Sequence, residues 1–187
     1  MTGSRICLVV HDEDWRPDGM IARAVLRLQV AGVRVAGLLQ NGSSGNDRSC
    51  ASLVLNDIAT GRQVQAFERR GAQARGCRLD PSGLAVAAGW VREAIESKPD
   101  ILFINRFGRQ ECEGRGLIGE ICAAAAAEIP MVIAVNRTLL PGWHAFAGEE
   151  GASAATSLEQ LEAWCFDAVQ RSTVSSSSDS ISRVSSA

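Results

Sequence analysis

The segment from residue 105 to residue 116 concentrates side chains that can bind anions. It reads NRFGRQECEGRG and holds Arg106, Arg109 and Arg115 among glycines at positions 108, 114 and 116. Planar guanidinium groups suit tetrahedral oxyanions and phosphate esters, because each can donate two parallel hydrogen bonds. Glycines give the backbone the freedom to close around a small group. The residue types and their spacing therefore predict an anion-binding loop.

A second interpretation of the same loop stays open. Its arginines can instead pair with Glu111, Glu113 and Glu120 in surface ion pairs, which contribute little free energy. A further motif, GCRLD at residues 76–80, would add a thiol and another guanidinium, although Cys77 can equally be a small residue packed in a turn. The predicted ligand-binding residues are Asn105, Arg106, Gly108, Arg109, Glu111, Arg115, Cys77 and Arg78.

The elements that must hold this loop alternate between strand and helix. Apolar runs predict buried strands at residues 6–10, 33–39, 101–104 and 131–135. Apolar residues at helical spacing predict helices within residues 21–28, 84–95, 117–127 and 158–168. This order predicts an α/β fold of three layers with a mainly parallel sheet, and residues 52–67 predict an appended β-hairpin. The arginine loop would then follow the end of a strand, where ligands bind in open α/β sheets.

Length and composition predict one globular domain over residues 1–171. The chain has 187 residues, 46% of them hydrophobic, and residues 172–187 form a serine-rich tail that we expect to be disordered. A net charge of −2 gives no basic field for nucleic acid. The sequence has no apolar run of the roughly 18 residues that span a membrane. We therefore expect a cytoplasmic protein without a nucleic-acid or membrane partner.

The six cysteines predict neither a disulfide framework nor a structural zinc site. They form no CxxC pair and no Cys/His cluster of zinc-finger spacing. The sequence identifies no cofactor and no metal. The predicted partner is a small anion or a nucleotide, and a homodimer is left open.

The junction after the first strand lacks a phosphate-binding loop. Such a loop needs glycines around the anion and a lysine for the terminal phosphates. This junction instead carries Asp12, Glu13 and Asp14, and the one lysine of the chain, Lys98, precedes a different strand. Two interpretations remain: a solvated acidic turn before the helix, or a cation held by these carboxylates and His11.

Two long motifs carry a resemblance to a known group of proteins. The sequence resembles a bacterial family that bears only a domain-of-unknown-function label, whose members share GCRLD, here residues 76–80, and NxFGxQExxGRG, here residues 105–116. Genes of that family often lie near genes for molybdenum uptake. The resemblance implies an oxyanion such as molybdate as one candidate ligand.

A more distant resemblance is to the nucleoside-triphosphatase family of small P-loop enzymes. It rests on the order of elements, on a V-x-G strand at Val35 and Gly37, and on a D-x-x-T-G turn at residues 57–61. In those enzymes an aspartate that holds Mg²⁺ and a glutamate that activates water follow the strand that ends at Ile104 here. This chain has Asn105 and Arg106 there. A neutral amide binds Mg²⁺ weakly, and arginine cannot act as a base near neutral pH.

Three functions therefore compete. The favoured one is a non-hydrolysing ligand-binding or regulatory protein on a degenerate P-loop NTPase-like scaffold, because the loop is present and the catalytic lysine, aspartate and glutamate are absent. The alternatives are a divergent nucleoside triphosphatase and an adaptor without a small ligand. The missing lysine discriminates between the non-hydrolysing protein and the nucleoside triphosphatase.

Overall fold

The computed structural model describes residues 4–12, 15, 17–41, 54–69, 77–149 and 151–184, without the side chains of residues 41, 67–69, 77–79, 105 and 174–184. Nine strands lie within these ranges: β1 (Ile6–His11), β2 (Val35–Asn41), β3 (Val54–Asp57), β4 (Gln63–Gln65), β5 (Phe67–Arg69), β6 (Cys77–Leu79), β7 (Ile101–Phe107), β8 (Met131–Asn136) and β9 (Ser153–Ala155).

Six α-helices lie between and after these strands: α1 (Asp18–Val30), α2 (Pro81–Glu96), α3 (Arg109–Cys112), α4 (Ile118–Ala126), α5 (Leu140–Ala147) and α6 (Leu158–Val184). Local sequence explains the start of α2, where Asp80 accepts hydrogen bonds from the backbone N–H groups of Ser82 and Gly83 and Pro81 occupies the first turn. The aspartate of the GCRLD motif is therefore a helix cap.

The main sheet has seven strands in the order β4-β3-β2-β7-β8-β1-β9. Strands β2, β7, β8, β1 and β9 pair in parallel, and β3 and β4 join them in antiparallel fashion as a hairpin. Strands β5 and β6 form a separate antiparallel pair that is not hydrogen-bonded to the main sheet. The molecule is thus a mixed α/β protein with an appended hairpin, in agreement with the prediction.

Helices cover both faces of the sheet, because successive strand residues point to opposite sides. On one face Leu8, Val10 and Ile104 pack with α2 and α4 residues such as Val91 and Ile121. On the other face the alternate strand residues pack with α1 and α6; these are Cys7, Val9, Phe103, Val132 and Ala134. Because both faces are covered, β1 and β8 are apolar at nearly every position.

Close contacts fix the position of β7 within the sheet. At Gly37 the backbone of β2 has φ 107°, and a Cβ there would lie 2.0 Å from the carbonyl oxygen of Phe103. At the far end of β7, Phe107 packs edge-on against Trp143 of α5, with ring centroids 5.2 Å apart. Both contacts hold the strand that leads into the arginine loop.

The end of the chain differs from the prediction for residues 172–187. Helix α6 continues to Val184, so the backbone of residues 172–184 is helical where composition predicts disorder; residues 185–187 lie outside the described residues. The hydroxyl groups at the start of this extension bond to carbonyls one turn earlier, as Ser172 does to Ala168 at 3.0 Å. Each residue added to a helix that is already nucleated gains one backbone hydrogen bond, so a serine-rich segment can continue α6.

In the part of the chain that the structure describes, no helix is both long and apolar enough to span a membrane.

Candidate functional site

The candidate site lies where β1, β8 and β7 end beside the start of α1. Strands β1 and β8 end together, with His11 opposite Asn136. The register between β7 and β8 shifts between Ile104 and Phe107, so the end of β7 bulges. Irregular strand ends of this kind re-aim side chains, and here the residue that is re-aimed is Arg106.

Arg106 combines an unusual backbone with an incompletely satisfied side chain. Its φ is 68°, in the left-handed region that residues other than glycine seldom adopt. One terminal nitrogen of its guanidinium donates to both carboxylate oxygens of Asp18, at 3.0 Å each. Its Nε is buried and has no hydrogen-bond partner among the residues that the structure describes. A strained backbone that holds an unsatisfied donor is typical of a site shaped for a ligand.

Asp18 is the first residue of α1, and sequence analysis does not single it out. Its carboxylate is well placed at a helix N-terminus, because the helix dipole favours negative charge there. The pair is mostly shielded from solvent, with side-chain exposures of 28% for Arg106 and 13% for Asp18. An acidic residue in a first turn is a recognisable local signal, but a partner 88 positions away leaves no local trace.

Glu111 organises the loop rather than presenting a free carboxylate. It is buried, and its oxygens accept hydrogen bonds from the backbone N–H groups of Gly108 at 2.8 Å and Leu117 at 2.9 Å. Gly116, with φ 66°, passes so close that a Cβ would lie 2.0 Å from a Glu111 oxygen. Glu111 and the glycines around it therefore form a closed structural unit of the NxFGxQExxGRG segment.

The three arginines of the loop have different surroundings. Arg106 contacts α1, whereas Arg115 is exposed and pairs with Glu113 and, at 2.9 Å from its Nε, with Gln110. Arg109 is exposed, and within the described residues it has no hydrogen bond or ion pair. The predicted surface pairing thus holds for Arg115 with Glu113.

Glu120, which the surface-pairing interpretation also included, pairs outside the loop. Glu120 contacts Arg92 of α2 at 3.2 Å, so it does not pair with the loop arginines. Within the described residues, Arg106 and Arg109 therefore form no ion pair with a carboxylate of their own loop.

Several predicted site residues are only partly described. Asn105 lies in β7 and Cys77 and Arg78 in β6, but the side chains of all three lie outside the described residues. Of the acidic turn, Glu13 and Asp14 also lie outside. Asp12 forms an ion pair with Arg137, a residue that sequence analysis does not single out, at 2.8 Å.

A metal centre finds no support in the described residues, where no three His, Cys, Asp or Glu side chains form a group that could hold an ion. Of the acidic turn, the structure describes Asp12, whose hydrogen bond and negative charge raise the pKa of the Arg137 guanidinium. That pair ties the end of β1 to the segment after β8.

A small open pocket adjoins the Arg106–Asp18 pair. Its lining is mainly apolar: Asp18, Ile21, Leu38, Leu39, Gln40, Phe103, Ile104 and Val132. These residues come from the start of α1 and from β2, β7 and β8. The pocket places an apolar wall beside the Asp18 carboxylate.

Comparison with known proteins agrees with this architecture. A family model described as "Protein of unknown function (DUF2478)" matches residues 6–164. The chain belongs to the DUF2478 family. This confirms the predicted membership of a family of unknown function.

A curated relative of this DUF2478 chain is the molybdenum import ATP-binding protein ModC 2 of Bradyrhizobium diazoefficiens. The two are 31% identical over 168 residues, which make up 90% of this chain and 19% of the relative. The DUF2478 chain therefore spans about a fifth of that protein's length.

The fold is also similar to the solution structure of a human cancer-related nucleoside triphosphatase. The TM-score is 0.63, with 14% sequence identity over 92% of this DUF2478 chain and 99% of the other chain. At this identity the likeness concerns the fold, and it supports the predicted P-loop NTPase-like architecture.

Proposed function

We propose that this protein is a non-hydrolysing ligand-binding or regulatory protein that binds an oxyanion, or the phosphate group of a nucleotide, where β7 meets α1. The observation that carries the proposal is Arg106. Its backbone is held in a left-handed conformation, and its Nε is buried without a partner among the described residues. An anion that accepts a hydrogen bond from this nitrogen would satisfy the donor in a partly shielded site, where charge-assisted bonds are strong.

The relatives support a phosphate or oxyanion ligand. One is an ATP-binding protein of molybdenum import and the other a nucleoside triphosphatase, so molybdate and nucleotides are natural candidates.

The geometry also suggests how ligand binding can change the contacts of α1 and so regulate the protein. An anion near Arg106 must compete with the carboxylate of Asp18, which already accepts from one of its nitrogens. Because Asp18 begins α1, a change in this ion pair would alter the contacts of the whole helix. Ligand binding would thereby reach the opposite end of α1, where Leu26 and Val30 are 61% and 82% exposed.

These exposed apolar residues favour one alternative function. Leu26 and Val30 lie one turn apart on α1, and an exposed apolar pair can serve a protein contact. An adaptor without a small ligand is therefore the second candidate.

Calorimetric titration separates these possibilities. Wild type, Arg106→Lys and the control Arg115→Ala would each be titrated with phosphate, sulfate, molybdate and ATP. Lysine keeps the charge beside Asp18 but loses Nε–H and the planar fork, so we expect Arg106→Lys to weaken binding about ten- to hundredfold. Arg115 is exposed and paired within its own loop, so Arg115→Ala should retain affinity within about threefold.

Thermal unfolding of both variants checks that each is folded before titration. If none of the anions binds the wild type, or if Arg106→Lys binds as tightly as wild type, the anion-binding proposal fails and the adaptor function moves ahead.

A further inference from the structure

His11 is a second incompletely satisfied group at the same edge of the sheet. It is the last residue of β1 and is 5% exposed. Along β1, Cys7 and Val9 face α1 and α6, so the alternation of side chains places His11 on that face as well. Arg106 also turns to this face, because it contacts Asp18 of α1.

The hydrogen bond that His11 makes fixes the proton on its ring. Its Nδ1 lies 3.0 Å from the backbone carbonyl oxygen of Asp12. A carbonyl oxygen can only accept, so Nδ1 carries the proton, and in the neutral ring Nε2 is a lone-pair acceptor. That Nε2 is buried, and within the described part of the chain it has no hydrogen-bond partner. A buried acceptor without a donor costs free energy unless something in the site supplies one.

The two unsatisfied nitrogens are complementary. Arg106 Nε needs an acceptor, and His11 Nε2 needs a donor. Their strands are separated by β8 alone, so the backbones lie roughly 10 Å apart, a gap that an arginine side chain and a tetrahedral anion can bridge together. A metal ion would satisfy the histidine but not the arginine, and the described residues offer no ligand cluster to hold one.

Building on the anion-binding function proposed above, we infer that the site is selective for a protonated oxyanion, namely hydrogen phosphate. Such a group carries acceptor oxygens for Arg106 and an O–H that donates to His11 Nε2. Inorganic phosphate keeps at least one proton near neutral pH, whereas sulfate and molybdate are fully deprotonated there. His11 would therefore discriminate among anions that Arg106 alone cannot distinguish.

Competing titrations of the full chain test this selectivity. We expect wild type to bind inorganic phosphate at least tenfold more tightly than sulfate or molybdate near neutral pH. Phenylalanine fits a buried ring position but offers no acceptor, so His11→Phe should reduce phosphate affinity to the level of sulfate and leave sulfate affinity unchanged. The control His144→Phe alters the other histidine of the chain, which is exposed on α5, and should keep the wild-type preference.

A nitrogen spectrum of wild type labelled with ¹⁵N-histidine gives an independent readout that needs no variant. The Nε2 resonance of His11 should move on titration with phosphate and stay in place with sulfate. Equal affinity for phosphate and sulfate in wild type would overturn the selectivity while leaving the anion-binding proposal intact. Absence of binding for every anion would overturn both.

Discussion

At the scale of single residues, the loop shows that one run of charged side chains can serve two purposes. Sequence spacing predicts one ligand-binding set of four residues: Arg106, Arg109, Glu111 and Arg115. In the structure, however, Glu111 accepts hydrogen bonds from backbone N–H groups of its own loop. A local signal was available, because a glutamate three residues after a helix cap is the pattern of a capping box. The pairing of Arg106 with Asp18 had no such signal, since it depends on tertiary structure.

We predict that Glu111→Gln destabilises the fold. The substitution replaces one acceptor oxygen with an NH₂ group that faces a backbone N–H donor, so a buried donor is left unsatisfied. The expected loss is about 1–3 kcal/mol in the free energy of unfolding, measured by urea denaturation.

Glu113→Gln is the matched control. Glu113 lies two positions away in the same loop but is exposed, so its loss should stay within about 0.5 kcal/mol. Equal effects of the two substitutions would show that the Glu111 hydrogen bonds do not hold the loop.

At the scale of elements, sequence predicts the strands and helices whose apolar periodicity is strong and misses those whose periodicity is weak. The four buried strands, the hairpin and the main helices follow from apolar patterns. Strand β9, with the sequence Ser-Ala-Ala, was missed because its residues have low strand propensity; it forms as a parallel neighbour of β1. The pair β5–β6 was missed because each strand has three residues.

The turn between β3 and β4 is held by one buried carboxylate. Asp57 accepts hydrogen bonds from Thr60 and from Arg62, whose nearest nitrogen is 2.8 Å away, and its side chain is 4% exposed. Burial alone would raise the pKa of Asp57, but the hydrogen bonds from Thr60 and Arg62 outweigh it and hold the pKa below its usual range. Arg62 in turn lies 4.9 Å from the ring centre of Trp90 in α2, so the turn is fastened to that helix.

This arrangement predicts a loss of stability in acid. A carboxyl with a lowered folded pKa stabilises the native state above its unfolded pKa of about 3.9, and the contribution is lost as pH falls through the folded value. Unfolding measured by urea from pH 7 down to pH 2 should show this decline in wild type and a smaller one in Asp57→Asn. Thr60→Val, which removes one donor, should bring the folded pKa of Asp57 closer to its unfolded value and so make the decline smaller. Identical pH profiles for all three proteins would exclude a stabilising role for the Asp57 charge.

The last helix offers a test of the domain boundary. The described side-chain contacts of its C-terminal part end at Arg171, Ser172 and Thr173, where Arg5 reaches Ser172 at 3.4 Å. Truncation after Thr173 keeps those contacts, and we expect the melting temperature to change by no more than about 2 °C, because the removed segment is mostly serine and has few apolar residues. Differential scanning calorimetry measures the change. A fall of several degrees would mean that Ile181 or Val184 packs on the domain.

At the scale of the whole molecule, strand order decides which residues can meet. Sequence predicts a mainly parallel sheet but not that β8 lies between β7 and β1, and this order brings His11 and Arg106 to one edge. It also separates Lys98 from that edge. Lys98 follows α2 and precedes β7, so it lies at the amino end of a strand whose carboxyl end carries Arg106. Lys98, the one lysine of the sequence, therefore cannot bind phosphates at the candidate site.

From this separation we predict that the purified protein does not turn over ATP or GTP in the presence of Mg²⁺. Phosphoryl transfer relies on a lysine at the phosphates and on carboxylates that hold Mg²⁺ and orient water. Here the positions after β7's apolar run are Asn105 and Arg106, and an arginine does not take up a proton near neutral pH. Phosphate release measured by a coupled assay should stay at the level of a heat-denatured sample while nucleotide binding, followed by calorimetry on the same preparation, remains detectable. Steady turnover by wild type that Arg106→Lys abolishes and Arg115→Ala retains would instead identify a hydrolase whose charge stabilisation comes from arginine.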